Sequence, residues 1–338
     1  MIARVLAATL IVALAIVVFV AAWPQLFNME WTIGVAQVVS LRAVAVAGAL
    51  VVVVLLTLLA AVSPSSRRFV GSLIVVLLVF SAASAAVLAS RGFGNETFQT
   101  KTDNDITVLS WNTLGDAPGS RAIADLALEA NADVITLPET TESMGADVAV
   151  LMREAGHPMW VYTTFFDEVS KARSTTLLIS SDLGEYTVQS DQGNTSTLPT
   201  VTATPDDGDG PTIVSVHPVA PVSDEMENWR SDLQWLAGIC AGENTIMAGD
   251  FNSTLDHWGR LRGADDADFG QCTDAGNASG NGAIGTWPSD VPAILGTPID
   301  HVLYTRNWEV SGMRVVQDRD DMGSDHRPVI VQLSPASN

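Results

Sequence analysis

The stretch ITVLSWNTLGDAPGSRAIADLALEANADVITLPE (106–139) decides the fold class of this chain. Its two ends, ITVLSWN (106–112) and DVITLPE (133–139), are short apolar runs with the composition of buried strands. The segment between them, SRAIADLALEA (120–130), carries apolar side chains at helical spacing, and a second helix is predicted at about 142–155. This β-α-β-α order indicates an α/β layered fold.

The chain after this opening is rich in further strand-like runs. The predicted strands are WVYTTFF (160–166), STTLLIS (174–180), EYTVQS (185–190), PTVTAT (199–204), TIVSVH (212–217), NTIMAGD (244–250), PIDHVLYT (298–305), MRVVQ (313–317) and RPVIVQL (327–333). SDEMENWRSDLQWLAGI (223–239) is predicted to be a helix with Ser223 as its N-cap. A short helix is predicted around 255–260, and the Gly- and Pro-rich stretch 263–299 is predicted to be ordered loop or strand fragments.

The first 91 residues have a different composition from the rest of the chain. They contain one acidic residue, five arginines and three apolar stretches at about 2–22, 43–62 and 69–90. Each stretch has about the 20 residues that a helix needs to cross a bilayer. A signal peptide is the alternative for the first stretch, but its apolar region would be shorter and two further stretches follow. We therefore predict three transmembrane helices in contact with the lipid bilayer.

The distribution of arginines between the spans predicts the orientation of the chain. The short loop 63–68 carries Arg67 and Arg68, whereas the longer loop 23–41 contains neither Lys nor Arg. Basic short loops remain in the cytoplasm, so the third span is predicted to run outward. The prediction is a multi-pass protein of the cell membrane whose domain is extracytoplasmic.

The part after the spans is predicted to be a linker (92–105) followed by one domain (106–335). It contains 37 acidic and 12 basic residues. Nonspecific affinity for nucleic acid comes mainly from Lys and Arg at phosphates, so this charge disfavours a nucleic-acid partner. Cys240 and Cys272 are the only cysteines. An oxidising compartment permits a disulfide between them, with two buried thiols as the alternative.

Six short motifs place Asn, Asp, Glu or His beside the ends of predicted strands. They are SWNT (110–113), PE (138–139), SVHP (215–218), GDFN (249–252), PIDHV (298–302) and GSDHRPV (323–329). Oxygen ligands together with paired Asp-His dipeptides indicate a hard divalent cation and hydrolytic chemistry. Asn112 and Glu139 each end a strand and supply oxygen donors of the kind Mg²⁺ prefers. His217, taken alone, is better explained as a histidine hydrogen-bonded to the backbone at the edge of the core.

Two of these motifs carry pairs of polar residues with different expected roles. In GDFN, Asp250 and Asn252 lie at i and i+2, and in an extended segment their side chains would point the same way. That pair offers an acceptor for a nucleophilic water and a donor for a phosphate oxygen, although Asp and Asn are also common in turns. In GSDHRPV, Asp325 suits a metal or a water, and His326 suits a phosphate contact or proton transfer.

The six motifs, in this order, resemble the endonuclease/exonuclease/phosphatase superfamily, over roughly residues 106–333. That superfamily includes deoxyribonucleases, abasic-site endonucleases, inositol-polyphosphate phosphatases and bacterial sphingomyelinases. The resemblance implies a four-layer α/β sandwich of two mixed sheets flanked by helices. It also implies a hydrolase that acts on a phosphate ester by in-line attack of a water, with Mg²⁺ as the cofactor and Mn²⁺ as the alternative ion.

The resemblance assigns a role to each polar residue of the motifs. Asn112, Glu139 and Asp325 match the metal-site residues, with Glu139 as the principal ligand. The catalytic set is completed by Asp250, which activates the water, Asn252, which orients it, the phosphate-contacting His217 and His326, and Asp300, which orients His326. The sequence departs from the family at LPET (137–140), where the glutamate is retained, and at STTLLIS (174–180), which leaves the substrate open. A nuclease and a noncatalytic binding domain are the alternative functions.

Overall fold

The computed structural model describes residues 1–94, 96–167, 169–264 and 267–337. The chain divides into two compact units, Met1–Ser90 and Arg91–Asn338. The first unit contains α1 (Ile2–Ala22), α2 (Val35–Ser40), α3 (Arg42–Val62) and α4, which runs Arg67–Arg91. By length and composition, α1, α3 and α4 are each able to cross a membrane.

The second unit is built on two six-stranded sheets. The strands are β1 (Ile106–Ser110), β2 (Val134–Pro138), β3 (Met159–Phe165), β4 (Ser174–Ser180), β5 (Tyr186–Val188), β6 (Val201–Pro205), β7 (Thr212–Val216), β8 (Thr245–Asp250), β9 (Cys272–Asp274), β10 (Asp300–Thr305), β11 (Trp308–Val315) and β12 (Val329–Pro335). The first sheet has the order β11-β12-β1-β2-β4-β3, and the second has the order β5-β6-β7-β8-β10-β9. Both are mixed, since β1 and β2 are parallel and β7 and β8 are parallel, while their other neighbours are antiparallel.

Apolar side chains from the two sheets form one core. Val108 and Leu177 of the first sheet belong to the same buried cluster as Ile213, Ala248 and Val302 of the second. The helices of this unit are α5 (Gly119–Ala130), α6 (Glu142–Glu154), α7 (Met226–Ile239) and the short α8 (Ala275–Ser279). A second cluster joins α5 and α6 to side chains of the first sheet. The sequence-based expectation of two mixed sheets flanked by helices is confirmed.

The helix predicted at 223–239 begins later than expected. It starts at Met226 with Glu225 as its N-cap residue, so the prediction of Ser223 as the cap was wrong. The hydroxyl of Ser223 instead donates to the carboxylate of Asp224. A side chain three residues before a helix cannot reach the free N–H groups of its first turn. The apolar face was correctly identified, because Trp229 and Leu233 are fully buried.

Residues at the start of the second unit contact the rest of that unit. The N–H of Gln99 donates to the carbonyl of Ser311, and Phe98 packs beside the α5–α6 cluster. Lys101 forms a 2.6 Å ion pair with Asp133. The segment predicted as a linker (92–105), of which Asn95 lies outside the described residues, therefore has ordered contacts along much of its length.

A disulfide joins Cys240 to Cys272, with 5.8 Å between their Cα atoms. Cys240 directly follows α7 and Cys272 begins β9. The bond resolves the alternative that the sequence left open between a bridge and two buried thiols. It fastens the end of α7 to the edge strand of the second sheet.

Candidate active site

The sheet topology brings all eight predicted site residues to one end of the two sheets. Asn112 and Glu139 follow the parallel strands β1 and β2, and His217 follows β7. Asp250 ends β8, directly opposite Asp300 in the antiparallel register with β10, and Asn252 follows Asp250 by two residues. The last two, Asp325 and His326, directly precede β12, whose Val329 pairs with Ser110 at the end of β1. Strand ends on a rigid scaffold are suited to holding catalytic groups.

Asn112 connects the polar residues of the two sheets. Its Nδ2 donates to Oε1 of Glu139 at 3.2 Å and to Oδ2 of Asp250 at 3.0 Å. Its Oδ1 accepts a hydrogen bond from the N–H of Leu114, which fixes the orientation of the amide. Asn112 therefore holds two carboxylates of different sheets in one cluster.

Asp250 and Asn252 meet through a turn rather than through an extended strand. The backbone N–H of Asn252 donates to Oδ1 of Asp250 at 2.8 Å, and the side-chain Nδ2 of Asn252 lies 3.3 Å from Oδ2. Asn252 has a φ of 45°, in the left-handed region. The two side chains are close together, as expected. The reason is not that alternate residues of a strand face the same way, because β8 ends at Asp250, before Asn252. Asn252 is held in place by a further bond from its Nδ2 to the carbonyl of Pro218.

His326 lies between two buried carboxylates. Its Nδ1 is 2.9 Å from Oδ2 of Asp300, and its Nε2 is 3.7 Å from Oδ2 of Asp250. Burial lowers the pKa of His326, but the carboxylates of Asp300 and Asp250 outweigh it and raise the pKa to about 10. Burial raises the pKa of Asp250 to about 7, although the charge of His326 opposes that rise. The arrangement keeps the imidazole charged and leaves Asp250 close to its ionisation point at neutral pH.

His217 is buried in the same cluster and is uncharged. Its Nε2 lies 3.8 Å from Oε1 of Glu139, and its Nδ1 accepts or donates no hydrogen bond within the described part of the chain. Burial, together with the nearby charge of His326, lowers the pKa of His217 to about 3. The site thus contains one neutral and one charged imidazole, which have different capacities for proton transfer.

Glu139 and Asp325 have the properties of metal-binding carboxylates. Burial raises the pKa of Glu139, and the negative charge of Asp325 adds to the rise. Asp325 accepts a 2.9 Å hydrogen bond on Oδ2 from the indole of Trp287, while its Oδ1 is buried, accepts no hydrogen bond from the described residues and lies 3.9 Å from Nε2 of His326. A divalent cation between such oxygens would satisfy the free lone pairs and offset the repulsion. The residues therefore fit the ion that the sequence predicts.

A second group of donors is also compact enough to contact a cation. Oxygen and nitrogen atoms of Asp250, Asp300 and His326 lie within 4.8 Å of one another. The short contact between Asp300 and His326 already occupies Nδ1 of the imidazole, which leaves Nε2 and the carboxylate oxygens as the atoms of this group that could contact a cation. The described residues therefore offer this group, as well as Glu139 and Asp325, as donors for a divalent cation.

Several residues that support the site were missed by the reading of the sequence. Thr286 accepts from the N–H of Asp300, Ser324 donates to the carbonyl of Asn112, and Trp111 donates to the carbonyl of His326. Trp287 lies in the stretch 263–299, which shows no strand or helix periodicity. The only local signal there was a Trp-Pro dipeptide in a Gly-rich segment, and that does not identify a partner for Asp325.

Arg327 fixes the loop that carries Trp287. Its buried guanidinium donates to the carbonyls of Gly285, Pro288, Ser289 and Val291 at 2.7–3.3 Å, and it pairs with Asp320 at 2.7 Å. A planar group with five N–H donors is able to satisfy this set of acceptors, whereas an ammonium group is not. The loop 285–291 is therefore tied to the residue that follows His326.

The remaining charged residues of the motifs have structural roles. His301 is buried, with Nδ1 2.8 Å from Asp274 and Nε2 3.0 Å from the carbonyl of Ser253. Lys171 pairs with Asp116 at 3.1 Å and Arg173 donates to the carbonyl of Thr197. These contacts hold the two cations that directly precede β4 against neighbouring loops.

Comparisons with known proteins show which family and which fold this chain is similar to. A family model described as the Endonuclease/Exonuclease/phosphatase family matches residues 109–326. A solved endonuclease/exonuclease/phosphatase structure from Bacteroides vulgatus has a TM-score of 0.50 at 15% identity, covering 70% of this chain and 100% of that one. The solved structure of humanized D. rerio TDP2 has a TM-score of 0.50 at 15% identity, covering 69% of this chain and 100% of that one. The solved structure of a mannosyl-6-phosphatase from Bacteroides thetaiotaomicron has a TM-score of 0.48 at 16% identity, covering 68% of this chain and 99% of that one. No curated protein matches the sequence.

Proposed function

Because this chain belongs to the endonuclease/exonuclease/phosphatase family, we propose that it is a membrane-anchored, metal-dependent hydrolase of phosphate esters. The observation that carries the proposal is the set of polar groups around Asp250. Asn112 and Asn252 orient its carboxylate, and the charged imidazole of His326 lies 3.7 Å away. This is the arrangement that a general base and a phosphate-binding cation require.

In the proposed reaction, the carboxylate of Asp250 accepts a proton from a water as that water attacks phosphorus. The new P–O bond forms in line with the ester P–O bond that breaks. A pKa of about 7 places Asp250 near the operating pH, where a general base is most effective. Both N–H groups of the Asn252 amide donate, one to Asp250 and one to the carbonyl of Pro218, so its Oδ1 is the atom left to accept a hydrogen bond from the water.

The two histidines contribute differently to this reaction. His326 is charged because Asp300 and Asp250 raise its pKa, so it stabilises the negative charge that develops on the phosphoryl oxygens. His217, whose pKa is lowered to about 3, is a neutral hydrogen-bonding group at the phosphate. Mg²⁺ held by Glu139 and Asp325, with Asn112 beside them, would neutralise further phosphoryl charge. Mn²⁺ has the same preference for oxygen ligands.

The experiment is a hydrolysis assay of the full chain in detergent with Mg²⁺ or Mn²⁺. Substrates are a generic phosphodiester and phosphomonoester, plasmid DNA, sphingomyelin and inositol phosphates. Asp250→Ala and His326→Ala should each reduce the rate on any hit by at least 10²-fold, as expected for general acid-base groups. His157→Ala, on an exposed loop, is the matched control. Full activity of both site variants would refute the catalytic assignment.

The outward orientation of the domain is part of the proposal. It rests on Arg67 and Arg68 in the short loop between α3 and α4, and a disulfide is compatible with an oxidising compartment. Nuclease action is the weaker candidate, since the acidic charge of the domain repels polyanions. A reporter that is active only in the cytoplasm, fused after residue 338, should be silent; an active reporter would reverse the orientation.

A further inference from the structure

Exposed apolar side chains are concentrated around the proposed active site. We use the name apolar rim for six of them, which are Leu114, Phe166, Val169, Val222, Ile294 and Met322. Their exposed fractions range from 38% for Phe166 to 91% for Val169. Isolated exposed apolar residues are normal on a protein surface, but a concentration at one functional site indicates an interaction.

The topology places every residue of the apolar rim at the catalytic end of the sheets. Leu114 follows Asn112 by two residues, and Met322 precedes Asp325 by three. Val222 lies in the loop after His217. Ile294 follows Val291 by three residues, and the carbonyl of Val291 accepts a hydrogen bond from Arg327.

The loop between β3 and β4, which carries Phe166 and Val169, reaches the same end. It leads into Thr175 of β4, which pairs with Pro138 directly before Glu139. Lys171 of this loop forms a 3.1 Å ion pair with Asp116, in the loop that carries Leu114. Gly323 in turn lies close to Ala117. Three of the rim-bearing loops are therefore neighbours at the entrance to the site.

The chemistry of the site and the apolar rim together define the substrate class. The site is suited to a phosphate ester, and the surface that surrounds its entrance offers apolar side chains. A molecule that matches both has a phosphate ester close to hydrocarbon, which is the chemistry of a membrane phospholipid. The same chain carries three helices able to cross a bilayer, so lipid phosphates would be at high local concentration.

The acidic charge of the second unit restricts the class of phospholipid substrates further. The part of the chain after residue 91 has 37 acidic and 12 basic residues, and such a surface is repelled by anionic lipid headgroups. A zwitterionic headgroup carries no net charge and avoids this cost. It also presents a phosphodiester, whose hydrolysis requires only a water.

We propose that the substrate is a zwitterionic phospholipid within a lipid surface, and that the apolar rim contacts the acyl-chain boundary while the phosphodiester reaches Asp250. This inference rests on the proposed phosphoesterase function and names its substrate class. Water adds to phosphorus, one P–O ester bond breaks, and the products are an alcohol and a phosphomonoester. The proton of the attacking water passes to Asp250, the leaving alkoxide takes a proton from solvent to become the alcohol, and Asp250 returns its proton to solvent.

The test uses the full chain reconstituted in phosphatidylcholine vesicles with Mg²⁺, and release of headgroup or lipid product is measured by mass spectrometry. The soluble diester bis(4-nitrophenyl) phosphate is assayed in parallel. Val169→Asp combined with Ile294→Asp should reduce lipid hydrolysis by about tenfold, since burial of two apolar side chains at the interface is lost. The fold-reduction in hydrolysis of the lipid should be at least five times the fold-reduction in hydrolysis of the soluble diester.

Val150→Asp is the matched control, because Val150 is also exposed but lies on α6. It should change lipid hydrolysis less than twofold. Equal losses on both substrates in the rim variant would overturn the docking role. If the soluble diester is cleaved while phosphatidylcholine is not, the inference is overturned and the proposed function stands. If the full chain cleaves neither of these two substrates, nor DNA, nor inositol phosphates, the proposed function itself is overturned. Faster hydrolysis of phosphatidylglycerol would overturn the zwitterionic assignment.

Discussion

The indole Nε1 of Trp287 donates a 2.9 Å hydrogen bond to Oδ2 of Asp325 and leaves Oδ1, 3.9 Å from Nε2 of His326, buried without a hydrogen bond from the described residues. The hydrogen bond selects one orientation of the carboxylate, so that the free oxygen has a fixed position beside Glu139. Groups that orient a metal-binding carboxylate commonly affect metal affinity nearly as strongly as the ligands do. Trp287 is therefore a positioning residue for the proposed metal site.

Trp287→Phe should weaken binding of Mg²⁺ or Mn²⁺ by about 10- to 100-fold, because the aromatic ring is kept and only the N–H donor is lost. Isothermal titration of the full chain with Mn²⁺ measures this directly, without a substrate. Trp308→Phe is the control, since the indole of Trp308 donates to Asn244 instead of to a site residue. Equal metal affinity of the two variants would contradict the role assigned to Trp287.

Asp300→Asn should reduce kcat by roughly 10²- to 10⁴-fold, because the amide no longer holds His326 charged and correctly oriented. It should also alter the pH profile. The carboxylates raise the pKa of His326 to about 10, so removal of one of them lowers that pKa. The alkaline limb of kcat against pH should consequently move to lower pH, whereas an unchanged limb would show that His326 is not the group that titrates there.

His301→Gln should destabilise the protein more at low pH than at high pH. Burial lowers the pKa of His301, but Asp274 and the carbonyl of Ser253 outweigh it, and the pKa rises above the ordinary value of 6.5. A raised pKa in the folded state stabilises the protein below pH 6.5 and loses that contribution as the pH rises through the folded-state value. Thermal unfolding from pH 5 to pH 10 measures the difference, which should shrink with increasing pH.

Cys240→Ser combined with Cys272→Ser should lower the free energy of unfolding by about 3–4 kcal/mol, as expected for a closed loop of this size. The cysteines are 32 residues apart, and the bond restricts the unfolded chain between α7 and β9. Dithiothreitol should reproduce the effect on the unmodified protein in thermal unfolding experiments and leave the double variant unchanged. A decrease in stability of the double variant on reduction would point to a different cause.

Much of the fold was predictable because several of its strands, such as β1, β2 and β4, are short and fully buried. STTLLIS (174–180) was predicted with the bounds that the structure has, and the strand ITVLSWN ends within two residues of the observed end. The position of helix starts was less predictable, as the wrong assignment of Ser223 shows. Several polar residues near Met226 satisfy the same local pattern, and only tertiary packing decides among them.

The geometry of the site was predictable only in part. The sequence places Asp250 and Asp300 at strand ends, but their direct opposition depends on the register of β8 and β10. The contact between Trp287 and Asp325 spans 38 residues and lies in a loop without periodicity. Side-chain contacts between distant loops follow from the packed fold, so no local pattern reveals them.

The position of β12 has a consequence for the newly synthesised protein. It follows every other strand in the chain, yet it lies between β11 and β1 inside the first sheet. While the ribosome still holds residues 329–335, β11 has no neighbour to pair with, and Asp325 and His326 have no strand to anchor them. The cluster of polar residues at the strand ends therefore assembles only after translation has passed β12.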